Sequence, residues 1–96
     1  MRVLVSYDIA TTTPHGKRRA RKVMRACKSY GVRVQYSVFE CSVGDVEWVK
    51  LKNVVLDAMN KTEDSVRIYF ISEDDARKTE HYGVREPIDP EGALIV

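Results

Sequence analysis

Cysteine and histidine are both scarce in this chain, two of each in 96 residues. Cys27 and Cys41 stand far apart without a C-x-x-C partner, a spacing that supports neither a disulfide framework nor a zinc site, so both read as buried thiols. His15 and His81 have no second His, Cys or acid at ligand spacing and read as surface residues. No apolar run approaches the ~18 residues that a membrane-spanning helix needs, so no membrane contact is expected. The first residues lack the basic, apolar and small-residue blocks of a secretory leader, which points to a cytoplasmic protein. Net charge is only +2, too small to name a partner by its sum. Its distribution is more informative, because between Lys17 and Lys28 acid is missing altogether.

What is present suits one globular unit. A hydrophobic fraction of 44% and a charged fraction of 31% are ordinary. The chain makes a single domain, 1–96, able to bury roughly 60–65% of its unfolded surface. Its first stretch, Arg2-Val3-Leu4-Val5-Ser6-Tyr7-Asp8-Ile9, reads as a strand. Alternation sets Val3, Val5, Tyr7 and Ile9 on a core face and Leu4, Ser6 and Asp8 on the other. Aspartate is depleted inside strands, so Asp8 at the strand end is either a turn-starting residue or a metal ligand.

Thr13 and Pro14 form a helix cap and first-turn pair, and the helix runs to about Tyr30 with Gly31 as its stop. Ala20, Val23, Met24 and Cys27 fall on one buried stripe. The other face holds Lys17, Arg18, Arg19, Arg21, Lys22, Arg25 and Lys28, seven cations without an anion. A charged helix face is usually just solvated, but no intrahelical pair can neutralise these, which points to an anionic ligand of the phosphate type.

Residues 32–43 are rich in strand formers and too long for one strand, so they split at Tyr36-Ser37 into strands over 32–35 and 38–43, although that turn lacks the usual Gly or Asn. Gly44-Asp45 offers a turn and cap for a helix to about Asn60, with Trp48, Leu51, Val55, Ala58 and Met59 along its apolar stripe. After a polar connector, Val66 to Ile71 is another strand. The order βαββαβ predicts an α+β, ferredoxin-like antiparallel sheet with both helices on one face. The uncovered face, carrying Leu4, suits a two-fold homodimer. Residues 72–92 are polar, and the apolar Ala93-Leu94-Ile95-Val96 is expected to add a short strand, to its own sheet or to a partner's.

Tyr7-Asp8 at the first strand end, Arg33-Val34-Gln35-Tyr36-Ser37-Val38-Phe39-Glu40, and Asp64-Ser65-Val66-Arg67-Ile68-Tyr69 together resemble the CRISPR-associated protein 2 family over essentially the whole chain. The resemblance implies a ferredoxin-like homodimer that works with the CRISPR integrase, the CRISPR-associated protein 1 family, in acquiring spacers. Several members are described as metal-dependent nucleases. Carried over, the family's strand-end aspartate is Asp8, which in the dimer would share one Mg2+, or Mn2+, with its symmetry mate. The family's basic positions fall on Arg19 and Arg21, with Arg18 as a substitute if the loop register slides, and on Arg33. Its motif aromatic is Phe39, and Tyr7 matches the tyrosine beside the aspartate. By alternation Tyr7 points into the core, where packing is as good a reading as catalysis. Trp48 and the five tyrosines are the side chains able to stack bases, but Trp48 lies on the core stripe. Glu40 is expected to pair with an arginine and has no catalytic role.

The first expectation is therefore a dimeric adaptor that holds double-stranded DNA by its phosphates, through Arg18, Arg19, Arg21, Lys22, Arg25 and Arg33, beside the integrase that does the chemistry. The alternative is a magnesium-dependent endonuclease cutting RNA or double-stranded DNA. One carboxylate per chain is a thin catalytic set for it. A plain oligomerisation module would leave the unpaired arginines unexplained. No base-reading element is visible, so binding should be largely independent of sequence.

Overall fold

In the computed structural model, which describes residues 1–84, the chain runs β1 (Arg2–Asp8), α1 (Pro14–Tyr30), β2 (Gly31–Gln35), β3 (Val38–Ser42), α2 (Asp45–Ala58), β4 (Ser65–Ile71) and α3 (Glu73–Arg77). The strands form one sheet in the order β2-β3-β1-β4, every pair antiparallel. This is the expected βαββαβ arrangement. The short strand expected at Ala93–Val96 lies outside the described residues.

Alternation in β1 sorts as read from the sequence: Val3, Val5 and Tyr7 are buried and Asp8 is exposed. Beneath the helices they join Val23, Ala26 and Cys27 of α1, Phe39 and Cys41 of β3, and Leu51 and Val55 of α2 in one core. Each fully buried Leu or Val there stabilises the fold by about 1.5–3 kcal/mol relative to exposure. Trp48 packs edge-on against Phe70 of β4, 5.5 Å between ring centroids, and so belongs to packing. On the opposite face of the sheet Leu4 stands between Glu40 and Tyr69 in register. Arg2 donates there to Glu40 at 3.1 Å and to Glu73 at 3.3 Å, the arginine partner expected for Glu40.

The helix ends are set by local chemistry. Thr13 Oγ accepts the Gly16 N–H at 3.1 Å, with Pro14 at the first helical position. Gly44 is the residue that precedes α2, its N–H donating to Glu47 Oε1 at 3.0 Å, and Asp45 is already helical. Gly31 ends α1 for a reason other than left-handed capping. Its backbone is extended, at φ −162°, and a Cβ there would lie 2.3 Å from the Glu40 carbonyl oxygen, so glycine is needed for close approach to β3. The β2–β3 connection is the two-residue Tyr36-Ser37 turn, with a register irregularity between Arg33 and Gln35. α3 falls in the stretch read from the sequence only as polar. Ser72 Oγ caps it by accepting the Asp75 N–H at 3.0 Å, and Glu73, Asp74 and Asp75 complement its positive end.

Candidate nucleic-acid interface

Asp8 is the last residue of β1, opposite Ser65 of β4, and is exposed. Just beyond it the chain turns back toward α1, and a cleft of about 390 Å3 opens between the strand end, α1 and the β2–β3 turn. Asp8, Arg21, Arg33 and Tyr36 are among its polar and aromatic lining residues, with Met24 and Ile9 among the apolar ones. Four residues from three separate stretches of sequence thus converge because βαββαβ winding brings the end of β1, the exposed side of α1 and the hairpin tip to one edge of the sheet.

Arg33 lies on the helix side, in register with Phe39. Its guanidinium carbon is 5.2 Å from the Phe39 ring centroid and 5.7 Å from that of Tyr36. Phe39 is itself stacked on Tyr7, 6.3 Å between centroids and 17° between planes. The Phe39 position singled out by resemblance is therefore a buried support for Arg33. Tyr7 is buried, as parity requires; burial pushes its phenol above the ordinary value, with the Arg33 guanidinium pulling the other way. A phenol of that kind keeps its proton at neutral pH and is no general base.

Arg19 departs from expectation. It is not free for phosphate: its Nε donates to Asp64 Oδ2 at 2.8 Å, and its Nη2 donates to Asp64 Oδ1 at 3.2 Å and to Glu63 at 3.1 Å. Asp64 has no exposed side-chain surface. It also accepts the Ala10 N–H at 3.0 Å and the Asn60 N–H at 2.8 Å. The Arg19 hydrogen bond, aided by those two backbone donors and opposed by burial, holds its carboxyl below the usual carboxylate range. One buried carboxylate thus ties the segment after β1, the first half of α1 and the connector before β4. Sequence reasoning took Asp64 only as part of a resembling stretch; the one available hint was that the basic helix needed an acid from elsewhere.

The other cations differ from Arg19. Arg18, Arg21, Lys22, Arg25 and Arg33 are exposed, and among the described residues none forms an ion pair. Arg18, Lys22 and Arg25 share one stripe at i, i+4 and i+7, while Arg21 turns toward the cleft. His15 and His81 are exposed. Among the described residues no group of three or more His, Cys, Asp and Glu side chains could hold a metal. Among the described residues Asp8 is the one acid lining the cleft. A lone carboxylate suits Mg2+ only when the remaining ligands are water, phosphate or the Asp8 of a second copy.

The family model described as CRISPR associated protein Cas2 matches residues 1–79. The chain is 48% identical over 96 residues to a CRISPR-associated endoribonuclease Cas2 of Chlorobaculum tepidum, covering all of both chains. It is 42% identical over 95 residues to a CRISPR-associated endonuclease Cas2 of Halalkalibacterium halodurans, covering 99% of each. Among solved structures, Streptococcus pyogenes Cas2 at pH 6.5 superposes with a TM-score of 0.77 at 43% identity, over 86% of this chain and 100% of that one.

Proposed function

The chain belongs to the CRISPR-associated Cas2 family, and from that premise we propose that it is a dimeric nucleic-acid-binding adaptor of spacer acquisition, holding double-stranded DNA by its phosphates beside the CRISPR integrase. One observation carries this reading. Where α1 lies within reach of acid, at Arg19, the cation is paired. Arg18, Arg21, Lys22 and Arg25 on the same helix, and Arg33 beside it, have no such partner among the described residues. Exposed cations on a rigid helix match a row of phosphates, and each neutralised phosphate releases counterions. The sheet face around Leu4, opposite α1 and α2 among the described residues, supports a two-fold pairing that would double this basic surface.

The test is the salt dependence of binding. Replacing Arg18, Lys22 and Arg25 together with Ala should weaken binding to unrelated duplexes about equally and flatten the log-log salt slope by about 0.9 for each lost phosphate contact. An unchanged slope would mean that these cations are only solvated.

A second reading is favoured by the position of Asp8 in a cleft shared with Arg21 and Arg33, and by the nuclease names of the relatives. In it the protein is a Mg2+- or Mn2+-dependent endonuclease of RNA or double-stranded DNA. Asp8 from each of two copies would hold the ion, which supplies an activated water and neutralises charge on the phosphate. Arg21 would orient that phosphate, and Tyr7, kept protonated by burial, would serve packing.

A further inference from the structure

We propose that α2 carries on its outer side a two-heptad seam through which this chain pairs with a second copy of itself, the two helices lying parallel. The seam stands apart from the cleft beside Asp8 and does not depend on the nucleic-acid reading.

α2 is apolar on two sides. Leu51 and Val55 are buried against the core. On the far side of the helix Val46 is 68% exposed, Val49 49% and Leu56 37%. A surface helix needs one apolar stripe to face its own core, so a second row calls for a second partner. Val46, Val49, Asn53 and Leu56 follow one another at i, i+3, i+7 and i+10, the a, d, a and d positions of a heptad repeat. Leu51 and Val55 lie about half a turn away, so two domains joined along this row would sit on opposite sides of the helix pair.

Charge says which partner fits. In that frame Asp45 and Lys52 hold g positions, and Lys50 and Asp57 hold e positions. Asp45, Lys50 and Asp57 are exposed, and Lys52 is half-buried with its ammonium 5.9 Å from the Trp48 ring centroid. Between parallel helices each g residue faces the e residue five positions on in the other helix. Asp45 then meets Lys50 of the second copy, and Lys52 meets Asp57 of the second copy. Two-fold symmetry repeats both contacts, so all four pairs are of opposite charge and the surface is complementary to itself. A spacing of five keeps these groups from pairing along their own helix, where only i, i+3 and i, i+4 neighbours meet. Among the described residues none of the four forms an ion pair. Asn53 selects the direction. Parallel helices set it opposite Asn53 of the second copy, where two amides can hydrogen-bond, whereas antiparallel helices set it against Val49 of the second copy. A seam of two heptads is smaller than the roughly 800 Å2 per partner of a standard interface, so the contact is weak and joins copies where they are concentrated.

Sedimentation equilibrium of the full-length chain from about 10 µM to 1 mM tests this. Leu4→Glu serves as the background, because it removes pairing through the opposite sheet face. It should pass from monomer to dimer as concentration rises, and in wild type the same step reads as dimer to tetramer. Lys50→Glu combined with Asp57→Lys leaves net charge unchanged but makes all four pairs repulsive, and should weaken association roughly 10- to 100-fold. Mixing that variant with a chain carrying Asp45→Lys and Lys52→Glu makes the four pairs attractive again and should restore a mixed dimer. Leu56→Asp should abolish association. Association that survives Lys50→Glu with Asp57→Lys overturns the parallel seam, since antiparallel helices would keep pairs of opposite charge in that variant. Failure of mixing to restore association also overturns it. So does a Leu4→Glu chain that stays monomeric to about 1 mM, the result expected if the chain's own C-terminal residues cover the row. Thermal melts that coincide with the background check that these substitutions leave the fold intact.

Discussion

Removing the Asp64 carboxylate should cost this domain a large part of its stability. Asp64→Ala would leave the Ala10 N–H, the Asn60 N–H and the Arg19 Nε–H without their acceptor, Arg19 keeping only its Nη2 bond to the exposed Glu63. Breaking a buried ion pair from one side costs about 3–5 kcal/mol. Arg19 retains 16% of its side-chain surface, so water can partly satisfy it and the lower figure applies. At about 3 kcal/mol, a domain of this size should melt about 12–24 °C below wild type. Asp64→Asn keeps one acceptor oxygen but turns an NH2 toward a donor, and should fall between. The pH dependence gives a second signature. The folded carboxyl titrates below its unfolded value, so its contribution is fully present above about pH 4–5 and is lost as pH falls through the folded pKa. Wild type should therefore lose stability toward acid more steeply than Asp64→Asn. Differential scanning calorimetry at fixed protein concentration reads both effects, and a double-mutant cycle with Arg19→Ala isolates the pair. A melt of Asp64→Ala within about 4 °C of wild type would refute the reasoning, since it would put the carboxylate in water.

Asp8→Asn should leave folding and duplex affinity unchanged and abolish any cleavage that depends on Mg2+ or Mn2+; spacer acquisition that persists in the same variant would leave the adaptor reading standing, and acquisition lost together with cleavage would favour the enzyme. Leu4→Glu, on the sheet face opposite α1 and α2, should shift a dimer toward monomer in sedimentation, and a monomeric wild type at micromolar concentration would remove the dimer and the shared ion together. Burial pushes the Cys27 thiol up to about 12 and the Cys41 thiol up to about 11, so neither should alkylate at about pH 8 until the protein is unfolded, as mass spectrometry would show.

Most of the architecture is legible because it follows from short-range periodicity. The alternation Val3, Val5, Tyr7 and the stripe of Ala20, Val23, Met24 and Cys27 each name a buried face without knowledge of the rest. The Tyr36-Ser37 turn follows from the length of an apolar stretch that one strand cannot use. What sequence order hides is contact between distant segments. Arg19 and Asp64 are separated by 45 positions, and nothing local distinguishes Arg19 from Arg18 or Arg21. Only the winding, which lays the α2–β4 connector against the start of α1, selects it. For the same reason Gly31 reads as a helix stop, when its lack of a side chain serves a neighbouring strand. In the site, the resemblance marks Asp8, Arg21 and Arg33, but their convergence with Tyr36 on one cleft follows only from the fold.

The two glycines near the ends of α1 have a consequence for how this chain can vary in length. A Cβ at Gly16 would lie 1.8 Å from the Ala10 carbonyl oxygen, and one at Gly31 would lie 2.3 Å from that of Glu40. The helix between them is a spacer whose two ends are both seated against backbone. Inserting or deleting one residue would rotate everything beyond it by about 100° and shift it by about 1.5 Å. One glycine would then leave its seat, a residue with a side chain would take its place, and the basic stripe would swing away from Arg33. Length changes between Gly16 and Gly31 are therefore barred by geometry.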